Sequence, residues 1–182
     1  MAAAGDMRLE RMSDILSALG EPESTRDGDA VVTLLTESSP RVVRAIEWTG
    51  RTVPAHCTSA GRALLLDHDE RSLRALLGDG ELPAAAPDAP RDIAELARRI
   101  AAARALGYAA IDGEFEDGHV GVAAPVRDFC GRIVAALNVS APAFRLGGRR
   151  LDAAGRAIRD RAGELSSRLA PGAPTTKEDP HA

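Results

Sequence analysis

The chain has 182 residues, 45% hydrophobic and 27% charged, with a formal net charge of -4. That balance suits one globular domain, which at this length buries roughly 70% of the surface its unfolded form exposes and requires neither disulfide nor metal. The negative charge excludes a nucleic-acid footprint spread over the whole chain, and no apolar run approaches the ~18 residues of a membrane-spanning helix.

Residues 6–19 predict an amphipathic helix, with Asp6 as cap, Leu9, Met12, Leu16 and Leu19 at spacings of three and four, and Gly20 as stop. A polar, turn-forming stretch follows to residue 29. Two β-rich runs, 31–36 and 41–48, flank Ser38, Ser39 and Pro40 and predict a hairpin, and residues 50–54 predict a turn. Thr58 or Ser59 then caps a helix running through Leu66. The first amides of that helix, at Ser59, Ala60 and Gly61, lack intrahelical acceptors and carry the positive end of the helix dipole, so they suit a small carboxylate.

Residues 69–77 predict a short helix and 78–90 a Pro- and Ala-rich loop. Asp92 and Glu95 read as a capping box opening a helix with Ile93, Leu96, Ile100 and Ala103 on its apolar face and Gly107 as its stop. A strand over 108–111 leads into the acidic loop 112–118, whose Glu114, Glu116 and Asp117 are expected to be solvated.

A second hairpin follows, with strands over 119–126 and 132–140. Pro125 removes a backbone donor, so the first strand is expected to end or lie at an edge there. Alternation puts Ile133, Ala135, Leu137 and Val139 on one face, and Arg132, Val134, Ala136, Asn138 and Ser140 on the other. The small, polar end of that second face leaves space for other side chains, water or a ligand. Leu151, Ala154, Ile158, Ala162, Leu165 and Leu169 stripe a final helix, which Gly155 and Gly163 weaken by about 1 kcal/mol each relative to Ala. The tail from residue 171 is expected to be disordered.

Cys57 and Cys130 lack CxxC spacing, which argues for a reducing, cytoplasmic setting. His56 and Cys57 are adjacent and so point apart in extended chain; a catalytic dyad would need a distant partner such as His119, and a structural His56 is expected instead. Consecutive Asp67, His68, Asp69 and Glu70 do not converge on one ion, and a solvated face is expected there. No catalytic residues, metal or cofactor are predicted. Only Lys177 among the 23 basic residues is lysine, a skew read as coding bias.

Three blocks carry a family resemblance: GRTVPAHCTSAGRALL (50–65), ARALGYAAIDGEFEDG (103–118) and VAAPVRDFCGRIVAALNVSAPAFRL (122–146). Together they resemble the effector-binding domain of the IclR family of bacterial transcription regulators, over roughly residues 6–169. The resemblance implies an α+β, GAF-like antiparallel sheet flanked by helices, as a single domain over 30–170 preceded by a helix and polar linker at 1–29. It implies binding of a small-molecule effector, often a carboxylate or aromatic acid, in a homodimer or tetramer that meets DNA through another module or partner. The family pocket maps onto the amides of Ser59 and Ala60 and onto Ile111, Gly121, Asn138 and Ser140. Some members carry an acid and a cysteine where this chain has Ile111 and Gly121, so the implied pocket is less polar. The family's winged helix is not seen before residue 6. The resemblance therefore leaves a stand-alone effector domain, a degenerate paralogue or a start lying upstream. An interaction protein that pairs with a full-length regulator, with no need of a ligand, is the alternative function.

Overall fold

The computed structural model describes residues 30–32, 52–83 and 85–169, with the backbone alone at 30–32 and 52. The predicted first helix, most of the first predicted hairpin and the tail lie outside the described residues. The fold is α+β. A two-stranded antiparallel sheet joins β1 (Ala30–Val32) to β2 (Thr52–Pro54), and a three-stranded antiparallel sheet runs in the order β3 (Ala109–Asp112), β4 (His119–Arg127), β5 (Ile133–Pro142). Its helices are α1 (Ser59–Leu64), α2 (Glu70–Leu77), α3 (Ile93–Leu106), the single turn α4 (Ala143–Leu146) and the long α5 (Arg149–Arg168).

Residues 52–54, expected as a turn, are instead a strand. Val53 stands opposite Val31 in the register, its own β-branched side chain favours the pleat, and Pro54 sits at the strand's end, where its missing donor matters least. Elsewhere the local chemistry sets the elements as anticipated. The Asp92 carboxylate accepts the Glu95 amide at 2.7 Å, Glu95 reaches back to the Arg91 amide at 3.2 Å, and Gly107 closes α3 in the left-handed region at φ 76°. Asp69 caps α2 by accepting the Ser72 amide at 2.8 Å.

One face of the larger sheet carries α1 and, beyond it, α2 and α3, around a core of Leu66, Leu73, Leu96 and Ile100. Full burial of each such side chain contributes about 1.5–3 kcal/mol. The other face carries α5, whose predicted stripe packs with Val122, Ala124, Val126, Ala135 and Leu137. Alternation along β5 fails at one place. Val126 pairs with Ala135 but Arg127 with Ile133, so Val134 is an extra, exposed residue in a bulge. Ile133 is thereby turned to the α1 side, where it packs with Ala136. β4 does not end at Pro125. It continues to Arg127, but β3 begins only opposite Ala123, so Pro125 lies at a local edge with no N–H to leave unpaired, and the Arg127 amide donates to Ser166 Oγ at 2.9 Å.

The loop after β3 is pinned rather than solvated. Glu114 is 8% exposed and receives both terminal nitrogens of Arg62, itself 2% exposed, one at 2.9 Å. Arg99 of α3 pairs with the same carboxylate and with Glu95. Arg62 also donates through Nε to the His56 carbonyl at 3.0 Å. Two guanidiniums and two carboxylates thus balance in charge and join α1, α3 and the loop. Glu116 and Asp117 are exposed as expected.

The two glycines of α5 have opposite surroundings. A Cβ at Gly155 would lie 2.1 Å from Cε2 of Tyr108, whereas at Gly163 it would meet nothing within 4 Å. Gly155→Ala is expected to destabilise the protein despite the helix gain of about 1 kcal/mol, and Gly163→Ala to stabilise it by up to about 1 kcal/mol, in urea denaturation. Glu114→Ala strands the buried Arg62 charge and is expected to cost about 3 kcal/mol, against less than about 0.5 kcal/mol for Glu116→Ala by the same measurement.

Candidate functional site

The sheet's α1 face ends in a row of three register partners, Ile111 on β3, Gly121 on β4 and Ser140 on β5. Ile111 and Gly121 are buried and Ser140 is exposed. Asn138, also exposed, stands two residues along on the same face, opposite Ala123, with its Nδ2 3.5 Å from Ser140 Oγ. Ser59, at the first residue of α1, is 3% exposed and lies directly above this row. The nearest atoms to the position a Gly121 Cβ would take are Ser59 Oγ at 2.8 Å, Ser140 Oγ at 3.1 Å and Ile111 Cγ1 at 3.5 Å.

The sequence therefore pointed to side chains that the fold does bring together: Ser59, Ile111, Gly121 and Ser140 touch one volume, with Asn138 at its open side. Ala60 is half-buried and packs toward the α1 core. The space above Gly121 is narrow, bounded by two hydroxyls and a methylene.

Local bonding explains why α1 starts here. Thr58 is the cap: its Oγ1 accepts the Gly61 amide at 3.2 Å and donates to the Pro54 carbonyl at 3.0 Å. Among the described residues nothing accepts the amides of Ser59 and Ala60. With only six residues, α1 has a modest dipole, and these two amides, the hydroxyls of Ser59 and Ser140 and the side-chain amide of Asn138 are the donors the site offers.

Neighbouring reactive groups are occupied structurally. His56 is 3% exposed, and its Nε2 lies 2.8 Å from the Pro83 carbonyl; since that oxygen only accepts, Nε2 carries the proton. Cys57 is fully buried with Sγ 3.8 Å from the Pro54 carbonyl, and burial pushes its thiol up to about 11, leaving it neutral. His119 packs edge-on against Phe115, with ring centroids 6.2 Å apart, and its burial lowers its pKa. The acidic run after α1 is divided among separate partners. Asp67 pairs with both terminal nitrogens of Arg127 at 2.7 Å, an arrangement that holds its carboxyl below the usual range, while Asp69 caps α2 and Glu70 pairs with Arg74 at 2.6 Å. Among the described residues no three His, Cys, Asp or Glu side chains gather where an ion could sit, and no helix is long and apolar enough to cross a membrane.

Sequence reasoning missed Arg62, Arg99 and Glu114 as the frame of the site. The available signal was Arg62 itself, a lone charge inside the apolar helix start GRALL. Exposed Cys130 and buried Cys57 give a direct check: in the native protein a maleimide is expected to label Cys130 alone, with Cys57 labelled only after unfolding, as read by peptide mass mapping.

Residues 8–167 match the family described as bacterial transcriptional regulator IclR C-terminal. The chain is 33% identical over 140 residues to the Pca regulon regulatory protein of Pseudomonas putida, covering 77% of this chain and 48% of that one. It thus spans about half the length of this relative. Among solved structures, the repressor BlcR of Agrobacterium tumefaciens superimposes with a TM-score of 0.69 at 24% identity, covering 88% of this chain and 66% of that one. A double mutant of the inducer-binding domain of the PobR transcription factor from Acinetobacter, solved with 3-hydroxybenzoic acid, gives a TM-score of 0.67 at 25% identity, covering 86% and 96% of the two chains. The chain belongs to the IclR family of bacterial transcriptional regulators, and residues 8–167 are its C-terminal domain.

Proposed function

We propose that this domain is the sensing part of a transcription regulator and that its effector is a small organic acid. The acid's carboxylate is received by the free amides of Ser59 and Ala60 and the hydroxyls of Ser59 and Ser140, and its remainder lies along β5 beside Asn138. The observation that carries this reading is the convergence of Ser59 on the Ile111–Gly121–Ser140 row, where the small Gly121 and Ser140 lie beneath unpaired donors and Ile111 adds an apolar side. An apolar Ile111 and a side-chain-free Gly121 favour a ligand with an apolar body over a multiply charged one. The PobR domain, solved with 3-hydroxybenzoic acid, supplies a relative of similar fold whose ligand has that character. The domain works as a homodimer or tetramer without catalysis. DNA is contacted by another module or partner, since a net charge of -4 gives this chain no general affinity for phosphates.

A ligand that binds only the folded protein raises its melting temperature, by an amount equivalent to about 2.7 kcal/mol at a hundredfold excess over Kd. A panel of keto acids, aromatic acids and acyl lactones is expected to contain at least one compound that does so. Asn138→Ala and Ser140→Ala, both at exposed positions, are expected to leave the unliganded melting temperature unchanged and to remove most of the shift. If every compound leaves the melting curve where it was, the sensing reading is overturned.

A further inference from the structure

A hollow of about 300 Å³ opens where β4 runs on past the start of β3. Its walls include Leu66, Pro125, the exposed Gly163, the half-buried Arg127 and the exposed Arg104 and Arg159, and among the described residues no acidic residue lines it. It lies about 13 Å along β4 from Gly121, at roughly 3.4 Å for each of the four residues to Pro125, and so is separate from the Ser59 row. Its volume is at the small end of the range for ligand sites.

The charges around this hollow do not balance. Arg127 is matched by Asp67, through two bonds of 2.7 Å, and Arg159 by its neighbour Asp160 at 3.0 Å. Arg104 donates only to carbonyls, those of Leu66 at 2.6 Å and His68 at 2.8 Å, and among the described residues no carboxylate is within ion-pair distance of it; Asp67 feels its field from further off. Three arginines against two carboxylates leave one positive charge, that of the exposed Arg104, at the rim of a hollow walled by Leu66, Ala124 and Pro125.

Gly163 adds an independent observation. A glycine inside a helix costs about 1 kcal/mol relative to alanine, yet a Cβ there would meet nothing within 4 Å, so packing does not require it. Gly163 is exposed, and without a side chain it leaves this side of the hollow open to solvent.

We propose that this hollow is a second ligand site, for a small monoanion with an apolar body such as an aromatic monocarboxylate, its charge on Arg104 and its ring against Leu66, Pro125 and the bare face of α5 at Gly163. The single excess charge selects a monoanion over a dianion, and the apolar wall selects against inorganic ions. The proposal does not rest on the function assigned to the Ser59 row.

Benzoate, with benzyl alcohol as its uncharged counterpart, is the probe, titrated into the 15N-labelled protein and followed residue by residue by NMR. Benzoate is expected to shift the amides of Gly107, Gly163 and Ser166 saturably, and benzyl alcohol is not. Gly163→Leu, which fills the hollow from a helix position with room for it, is expected to weaken benzoate at these amides at least about tenfold; Gly163→Ala is expected to weaken it less and to fold as the parent does. Shifts at Ser59, Gly121 and Ser140 with none at Gly107, Gly163 and Ser166 would overturn this proposal while supporting the organic-acid reading of the other site. Equal responses to benzoate and benzyl alcohol would overturn it too, by showing a crevice that does not recognise charge.

Discussion

The closeness of α1 to the strands beneath it is the constraint on which the rest of the structure depends. A Cβ at Gly61 would sit 2.1 Å from the Ala55 carbonyl oxygen, and one at Gly121 would sit 2.8 Å from Ser59 Oγ. At Gly61 the contact is with fixed backbone, so glycine is required to fold the helix start back on the end of β2; at Gly121 it is with the Ser59 hydroxyl, so a side chain there would turn Ser59 aside and fill the space beneath α1. With that seating, two helix-start amides that have no acceptor among the described residues come to lie over Gly121 and Ser140. A larger residue at Gly61 would lift α1 from the end of β2 and dissolve the site without changing any of its polar groups.

So short a helix has little hold of its own, and its position comes from bonds at both ends. At its start, Thr58 and Cys57 both bond to the Pro54 carbonyl and Arg62 reaches the His56 carbonyl and Glu114. Past its end, Arg104 takes the carbonyls of Leu66 and His68, and Asp67 pairs with Arg127 of β4. Each of the arginine contacts uses the planar fork of the guanidinium to reach two acceptor atoms at once, which a lysine ammonium does not reproduce. The near absence of lysine, whatever its origin in the coding sequence, has been built into the structure at Arg62, Arg99, Arg104 and Arg127.

Much of this was legible in the chain because the signals are local. Asp92 and Glu95, Gly107, the α5 stripe and the alternation at Ala136, Asn138 and Ser140 each involve residues within a turn or two of one another, so spacing alone reports them. The family resemblance then joined Ser59 to Gly121, two positions 62 residues apart that no periodicity connects. What stayed hidden depended on pairing. The bulge at Val134 arises from the register of β4 against β5 and turns Ile133 over without any mark in the sequence. Glu114 stands in a run of acids and glycines that is indistinguishable from solvent-facing loop until α1 and α3 deliver Arg62 and Arg99 to it. Residues 52–54 read as a turn because their strand partner lies 22 residues earlier, Val31 opposite Val53.

The two candidate sites stand at opposite ends of the same short helix. Ser59 opens α1 over the small-residue row, and Leu66, two residues past its last turn, walls the arginine-lined hollow. At 1.5 Å per residue, α1 is only about 9 Å long and carries no glycine or proline after Gly61 at which to bend. A displacement imposed at Ser59 would be carried along the helix to Leu64 and from there into the turn that holds Leu66 and Asp67. It would act on the carbonyls that Arg104 holds and on the carboxylate that Arg127 holds, which are the groups that set the charge of the hollow. By reciprocity, an anion drawing Arg104 off the Leu66 carbonyl would loosen the anchorage that keeps Ser59 over Gly121.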